Sequence, residues 1–286
     1  MTRRYFFRSS AAAVGSMAVA GCQPEKTEMF MPAKALPAPL HVVATTPILA
    51  ALVSSVAGEL ATVSSMVPFG APVDKIERTG PIESQLTAAD VVVTLGLGLE
   101  AKLEKSLQNA GEAGAVLCEL AGAFPAESLF PRAEAGGSAA GADPHVWLDP
   151  LLWGRAIRPI EEMLRQLRPS QAGDVAKRVN ILNYEFSEME KELRRRVELA
   201  SLPLDTPLAT TNAAVRYLGR AAGVPVMLAD TVDSREDATL EKLPLGNLFP
   251  PDAEKVMARG TLHDLSTLGG LRLYALDLML NRVGGA

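Results

Sequence analysis

Cysteine is nearly absent from this 286-residue chain, which holds only Cys22 and Cys118. One potential pair cannot build the framework of a disulfide-stapled scaffold. Histidine is as scarce, with His41, His145 and His263 alone, and no His-Glu-x-x-His or nucleophile elbow occurs. Three scattered imidazoles are thin material for acid–base catalysis, so the composition speaks against an enzyme. Basic residues do not exceed acidic ones: 28 Lys and Arg face 33 Asp and Glu, a formal charge of −5. That balance offers no patch for nucleic acid. The apolar run from Ala11 is about eleven residues, short of the ~20 needed to span a hydrocarbon core, so no permanent transmembrane helix is expected.

The N-terminus reads instead as an address. Paired arginines and aromatics in Thr2-Arg3-Arg4-Tyr5-Phe6-Phe7-Arg8 precede the apolar run, and Val19-Ala20-Gly21-Cys22 closes it. This is the pattern of a twin-arginine signal peptide over residues 1–22 ending in a lipobox, with Cys22 acylated after cleavage. Cleavage deletes three arginines and no acids, moving the formal charge from −5 to −8. It also consumes one of the two cysteines, so no intrachain disulfide remains. Prolines at 24, 32, 37 and 39 make residues 23–40 an extended tether that holds a folded domain off a membrane.

From His41 onward, short β-rich runs alternate with helical patterns. Strands are expected at His41 to Thr45, Thr62 to Val67, Asp90 to Gly96 and Ala115 to Glu119, with helices at Ile48 to Ala57, Ile82 to Ala88 and Leu99 to Asn109. That alternation predicts βαβ units and a parallel sheet over residues 41–168. Pro131 to Ala142 is a loop of small residues without periodicity. In residues 169–202, Val175, Val179, Leu182, Phe186, Met189, Leu193, Val197 and Ala200 recur every three or four positions, one apolar stripe on a helix of about 28 residues and roughly 40 Å. Such a helix can brace two lobes. Residues 203–286 begin a second, shortened α/β lobe: strands at Pro207 to Thr211 and Pro225 to Ala229 flank a helix from Ala213 to Ala222, and a last helix runs from about Leu268 to Asn281.

The segment Asp143-Pro144-His145-Val146-Trp147-Leu148-Asp149-Pro150 stands out from this background. It presents one of the three histidines between acids and prolines, a frame suited to a metal-ligating neutral imidazole. Trp147 and Trp153 are read as core, as are Tyr184, Tyr217 and Tyr274.

With these residues the chain resembles the metal-binding solute-binding lipoproteins of zinc and manganese ABC transporters. The resemblance covers nearly all of residues 41–286. It rests on Val43-Ala44-Thr45-Thr46-Pro47, Val67-Pro68-Phe69-Gly70-Ala71, Gly96-Leu97-Gly98-Leu99-Glu100, Asp143 to Pro150, Asp264-Leu265-Ser266, Tyr274 and Asn281. It implies two α/β lobes joined by one long helix, with a cation held between them by four side chains and passed to an ABC permease. Carried over position by position, the ligands are Asp74, where the family usually has His; His145, unchanged; Asn212, where it has His or Glu; and Asp264, matching. Two carboxylates and an amide make this set more oxygen-rich than a zinc site of several histidines, which suits manganese or another oxygen-tolerant divalent ion better than zinc. The resemblance thus implies a lipid-anchored, monomeric, extracytoplasmic binding protein with limited lobe closure.

Two other readings compete. Gly96 to Ala101 follows a strand, with Glu119 about twenty residues on, and formally matches a dinucleotide fingerprint. The substitutions at 74 and 212 also suit a divergent lipoprotein that binds no metal and serves as a docking or adhesion module.

Overall fold

The computed structural model describes residues 36–68, 76–132, 141–200, 207–228 and 272, together with the backbone of 255–258 and 261–264. The signal segment, Cys22 and most of the tether lie outside these residues, as do Asp74, Tyr274 and the expected last helix, apart from a helical Arg272.

Four parallel strands form the first sheet: β1 (Leu40–Ala44), β2 (Ala61–Ser65), β3 (Val91–Thr94) and β4 (Val116–Glu119), in spatial order β2-β1-β3-β4. Residues Val42 to Ala44 of β1 and Val91 to Val93 of β3 are fully buried. Continuous burial rather than alternation marks central parallel strands covered on both faces. The chain leaves β1 for one edge and returns to β3 on the other side, so the crevice at the C-terminal ends of β1 and β3 is the switch point of the sheet.

Helix starts follow a common local chemistry. Helix α1 (Pro47–Ala57) opens with Pro47, and the Thr46 hydroxyl accepts the Leu49 N–H at 3.3 Å. In α2 (Gly80–Ala88) the Thr79 hydroxyl accepts from Ile82, with Pro81 in the first turn. Each cap oxygen satisfies a donor that the first turn leaves without an intrahelical partner. Helix α3 (Glu104–Ala113) begins later than expected, because Ala101–Leu103 form a 3-10 turn first, and it ends on left-handed Gly114.

Beyond the loop, whose ends pair at Pro131 and Ala142, come two helices that periodicity did not reveal: α4 (Pro150–Gly154) and α5 (Ile157–Leu167). Pro150 therefore opens a helix rather than closing the histidine loop, with Asp149 as its cap.

The long helix is α6 (Ala172–Ala200), 29 residues, longer than expected by about one. Val175, Val179, Leu193 and Val197 are buried, and Leu182, Phe186, Met189 and Ala200 pack against the same core. The helix packs against α1, α4 and α5, and against α7 (Val215–Ala222) of the second lobe. Arg178 reaches from it to the C-terminus of α1, donating to the Val56 and Ala57 carbonyls at 2.8 and 3.0 Å. A cation there satisfies carbonyls with no intrahelical partner and opposes the helix dipole.

In the second lobe, β5 (Leu208–Thr210) and β6 (Val226–Leu228) pair in parallel around α7, which ends on left-handed Gly223. A further pair, β7 (Lys255–Ala258) and β8 (Thr261–Asp264), is antiparallel and was not anticipated. The hydrophobic core does not stop at the lobe boundary: one cluster runs from β1 through Trp147, Trp153 and α6 to Leu208, Tyr217 and Leu218.

Both tryptophans are core, at 1% exposure, and Tyr217 is fully buried. Tyr184 is not packed as expected. It lies off the α6 stripe and is 65% exposed. Cys118 is buried in β4, and desolvation pushes its thiol up to about 12, which leaves it an inert packing group. Trp153→Ala will lower unfolding free energy by about 3–5 kcal/mol in urea titration, whereas Tyr184→Ala will stay within about 0.5 kcal/mol of the parent.

Candidate functional site

His145 stands immediately before a 3-10 turn formed by Val146–Leu148, all of it buried. The turn packs against α4 and α7, so the histidine sits where the first lobe meets the second. Its ring is set by Asp143. The Asp143 Oδ1 accepts the His145 backbone N–H at 3.0 Å and lies 2.7 Å from Nδ1. A carboxylate can only accept, so the imidazole proton belongs on Nδ1 and the lone pair on Nε2. Nε2 has no hydrogen-bond partner among the described residues, and the side chain is 24% exposed. This is the carboxylate–histidine arrangement by which metal-ligating imidazoles are oriented.

Asp143 is itself fixed on every side. Its Oδ2 accepts from Arg216 of α7 at 3.1 Å, its backbone N–H donates to Phe130, and its carbonyl accepts the Tyr217 hydroxyl at 2.8 Å. Burial pushes the Asp143 carboxyl up, but the hydrogen bonds from the His145 ring, the His145 backbone N–H and Arg216 outweigh burial and hold it below its ordinary range. A second pair repeats the theme one turn along α7, where Arg220 donates to the Asp149 Oδ2 at 2.9 and 3.0 Å. Both guanidiniums lie over the Phe130 ring, at 4.9 and 5.1 Å. On the other flank the buried Arg272 donates to the Trp147 carbonyl.

Asn212 lies between β5 and α7. Its Oδ1 accepts the Ala214 N–H at 3.2 Å, which fixes the amide. The neighbouring Ala213 carbonyl accepts from the Arg216 Nε at 3.1 Å, so one guanidinium touches both the Asn212 segment and the His145 segment. Asp264 ends β8 with its backbone opposite Lys255, while its side chain and the whole of Asp74 lie outside the described residues. No group of three or more His, Cys, Asp or Glu poised for a metal occurs among the described residues. The open crevices of about 560 and 420 Å³ beside α6 include neither His145 nor Asn212 in their walls. A single cation needs donor atoms rather than a large concavity, so the imidazole geometry is the better guide.

Asp143 lies in the segment that stands out in the sequence but has no role legible there, and no motif in the sequence singled out Arg216, Arg220 or Arg272. The signal available for the first two was a pair of arginines one turn apart on an otherwise apolar helix. His41 is structural, its Nδ1 lying 2.9 Å from the Ala88 carbonyl.

The glycine loop after β3 does not form a dinucleotide cradle. Gly96, Leu97 and Gly98 are all left-handed, with φ of 76°, 52° and 76°, and the chain enters a turn rather than a helix. The Leu95 and Gly96 N–H groups that would face a phosphate donate instead to Glu100, at 2.9 and 3.0 Å, and Thr45 adds a 2.7 Å bond. A buried carboxylate already occupies the anion position. Burial pushes the Glu100 carboxyl up despite these donors. The folded state then holds the proton more tightly than the unfolded chain, so this group adds stability as pH falls through the raised value toward 4.5. Glu100→Gln removes that gain: in urea unfolding the balance between parent and variant will shift toward the parent as pH is lowered from about 7 to about 5.

Comparisons with known proteins agree on one family. A family model described as zinc-uptake complex component A, periplasmic, matches residues 42–244. The manganese-binding lipoprotein MntA of Bacillus subtilis is 28% identical over 220 residues, covering 76% of this chain and 67% of the lipoprotein. Among solved structures, the periplasmic zinc-binding protein TroA of Treponema pallidum superposes with a TM-score of 0.64 at 20% identity, covering 86% of this chain and 99% of that one. Zn(II)-bound AdcA of Streptococcus pneumoniae gives 0.57 at 20% identity, covering 70% of this chain, which spans 42% of AdcA. At these identities the structures establish the fold: two α/β lobes joined by a helix.

Proposed function

Because the chain belongs to the family of the periplasmic component A of zinc-uptake complexes, we propose that it captures a divalent metal ion outside the cytoplasm and delivers it to an ABC importer. The family is a transport component and not an enzyme family, and no covalent chemistry is assigned to this chain. The observation that carries the reading is the oriented His145, with Nδ1 bound to a buried carboxylate and Nε2 without a hydrogen-bond partner among the described residues.

In this reading His145 supplies the nitrogen ligand, Asp74 and Asp264 supply charged oxygens, and Asn212 supplies an amide oxygen. Two carboxylates balance a divalent cation. One nitrogen among oxygens favours the harder manganese over zinc, which a site of several imidazoles would hold more tightly. The ion is cargo, so binding need only be reversible. Because the hydrophobic core runs through both lobes, closure on the ion is small. Cys22 carries the lipid anchor, the mature chain works as a monomer, and the paired arginines direct twin-arginine export.

Titration calorimetry and metal analysis on the full chain test the capture. Manganese is expected to bind with a Kd below roughly 100 μM, and His145→Ala and Asp74→Ala each to weaken it by about tenfold or more. If neither manganese nor zinc binds below roughly 100 μM, capture is lost and the docking or adhesion module takes its place. Changing Arg3 and Arg4 to lysine together will stop export; undiminished export would assign the chain to the general secretory route.

A further inference from the structure

We propose that Arg216, on the first turn of α7 in the second lobe, is a positioning residue that sets the tautomer and orientation of His145 in the first, acting through Asp143; this rests on the reading of His145 as a metal ligand.

Asp143 divides its two oxygens between the lobes. Oδ1 faces His145 and takes both the ring Nδ1 and the backbone N–H, while Oδ2 faces Arg216. The carboxylate side chain is 3% exposed and the Arg216 side chain 11%, so neither end has bulk water as a substitute partner. An oxygen deprived of its partner in such a place is an unsatisfied acceptor, and the carboxylate then turns to find another. A turn of the Asp143 side chain moves Oδ1 away from Nδ1. The imidazole then exchanges its proton between nitrogens, and only one of the two tautomers offers Nε2 to a cation.

Arg216 is suited to the task because it is immobilised at other points. Its Nε donates to the Ala213 carbonyl at 3.1 Å, and its Nη2 donates to the Pro131 carbonyl at 2.7 Å as well as to Asp143. Its guanidinium also lies over the Phe130 ring at 4.9 Å. Ala213 follows Asn212 directly. The relay from the Asn212 backbone through Arg216 and Asp143 to the His145 ring therefore fixes the spacing of two proposed ligands drawn from different lobes. It also pairs the Asp143 charge within the protein, which keeps that carboxylate out of the inner coordination shell.

Arg220 provides the internal control. It sits on the same helix, lies over the same Phe130 ring and pairs with an aspartate across the same boundary, but its aspartate is Asp149, which caps α4 and does not touch His145. A general latch between lobes would use both arginines alike.

The test is long-range proton–nitrogen correlation NMR on the ¹⁵N-labelled, metal-free full chain at fixed pH, with His145→Ala assigning the signal, followed by manganese titration. The parent will show one His145 tautomer with the proton on Nδ1. Arg216→Ala will show a mixture of tautomers and about tenfold weaker manganese binding, Arg216→Lys will recover most of the single tautomer, and Arg220→Ala will leave both readouts within about twofold of the parent. A single Nδ1–H tautomer in Arg216→Ala, or equal disturbance in Arg220→Ala, overturns the proposal. If the parent shows the fixed tautomer yet binds neither manganese nor zinc, the capture reading falls and the positioning role stands.

Discussion

One buried carboxylate holds together the part of this molecule that bears on function. Asp143 lies between a histidine of the first lobe and an arginine of the second, and both its oxygens are committed. Its cost follows from ordinary electrostatics. Taking a carboxylate and a guanidinium out of water costs several kcal/mol each, which their attraction and hydrogen bonds only roughly offset. Such a pair adds little to stability compared with well-packed hydrophobic residues. What it does enforce is geometry, since removing either partner strands a charge and costs on the order of 3–5 kcal/mol. The lobe boundary therefore has one favourable arrangement.

The hydrophobic core reinforces that arrangement. Trp147 and Trp153 meet edge to face, and α6 carries the same cluster across to α7 and β5. Opening the lobes widely would expose this apolar surface to water at about 25 cal/mol per Å². Among the described residues the boundary carries this apolar cluster alongside its two Asp–Arg pairs, so parting the lobes would expose both. In the proposed capture reading, selectivity and affinity then rest on the donor atoms and their preset orientation rather than on closure.

Much of the scaffold was legible in the sequence because its signals are periodic. All four strands of the first sheet fall within one or two residues of their expected ends, and the apolar stripe of α6 packs as its spacing demands. The misses have particular causes. Helices α4 and α5 were overlooked because α4 spans barely more than a turn and α5 carries Pro159, which is tolerated only because it lies in the first turn. Tyr184 was assigned to the core on residue type although it lies off the stripe. The pair β7–β8 is two four-residue strands in a stretch of weak pattern, too short for period-two alternation to register. Of the proposed ligands, His145 stood out by its frame, while Asn212 was named only through the family resemblance. The network behind them was not: Arg216 and Arg220 lie 73 and 71 residues from the aspartates they meet, and no local spacing encodes such a contact.

The distribution of this support follows from the chemistry of the donors. An imidazole ligates along one lone pair in one plane, so a wrong tautomer or a rotated ring loses the bond altogether. A carboxylate has two oxygens and several lone-pair directions, and it accommodates a cation in monodentate or bidentate fashion from a range of positions. In the proposed donor set a single nitrogen stands among oxygens, so that nitrogen has to be oriented with care while the oxygens tolerate more. His145 is where the buried partners converge: Asp143 on its ring, Arg216 behind Asp143, Tyr217 on the loop backbone and Arg272 on the carbonyl two residues along. On the proposed reading, the stringency of these surrounding contacts matches the directionality of the one nitrogen ligand.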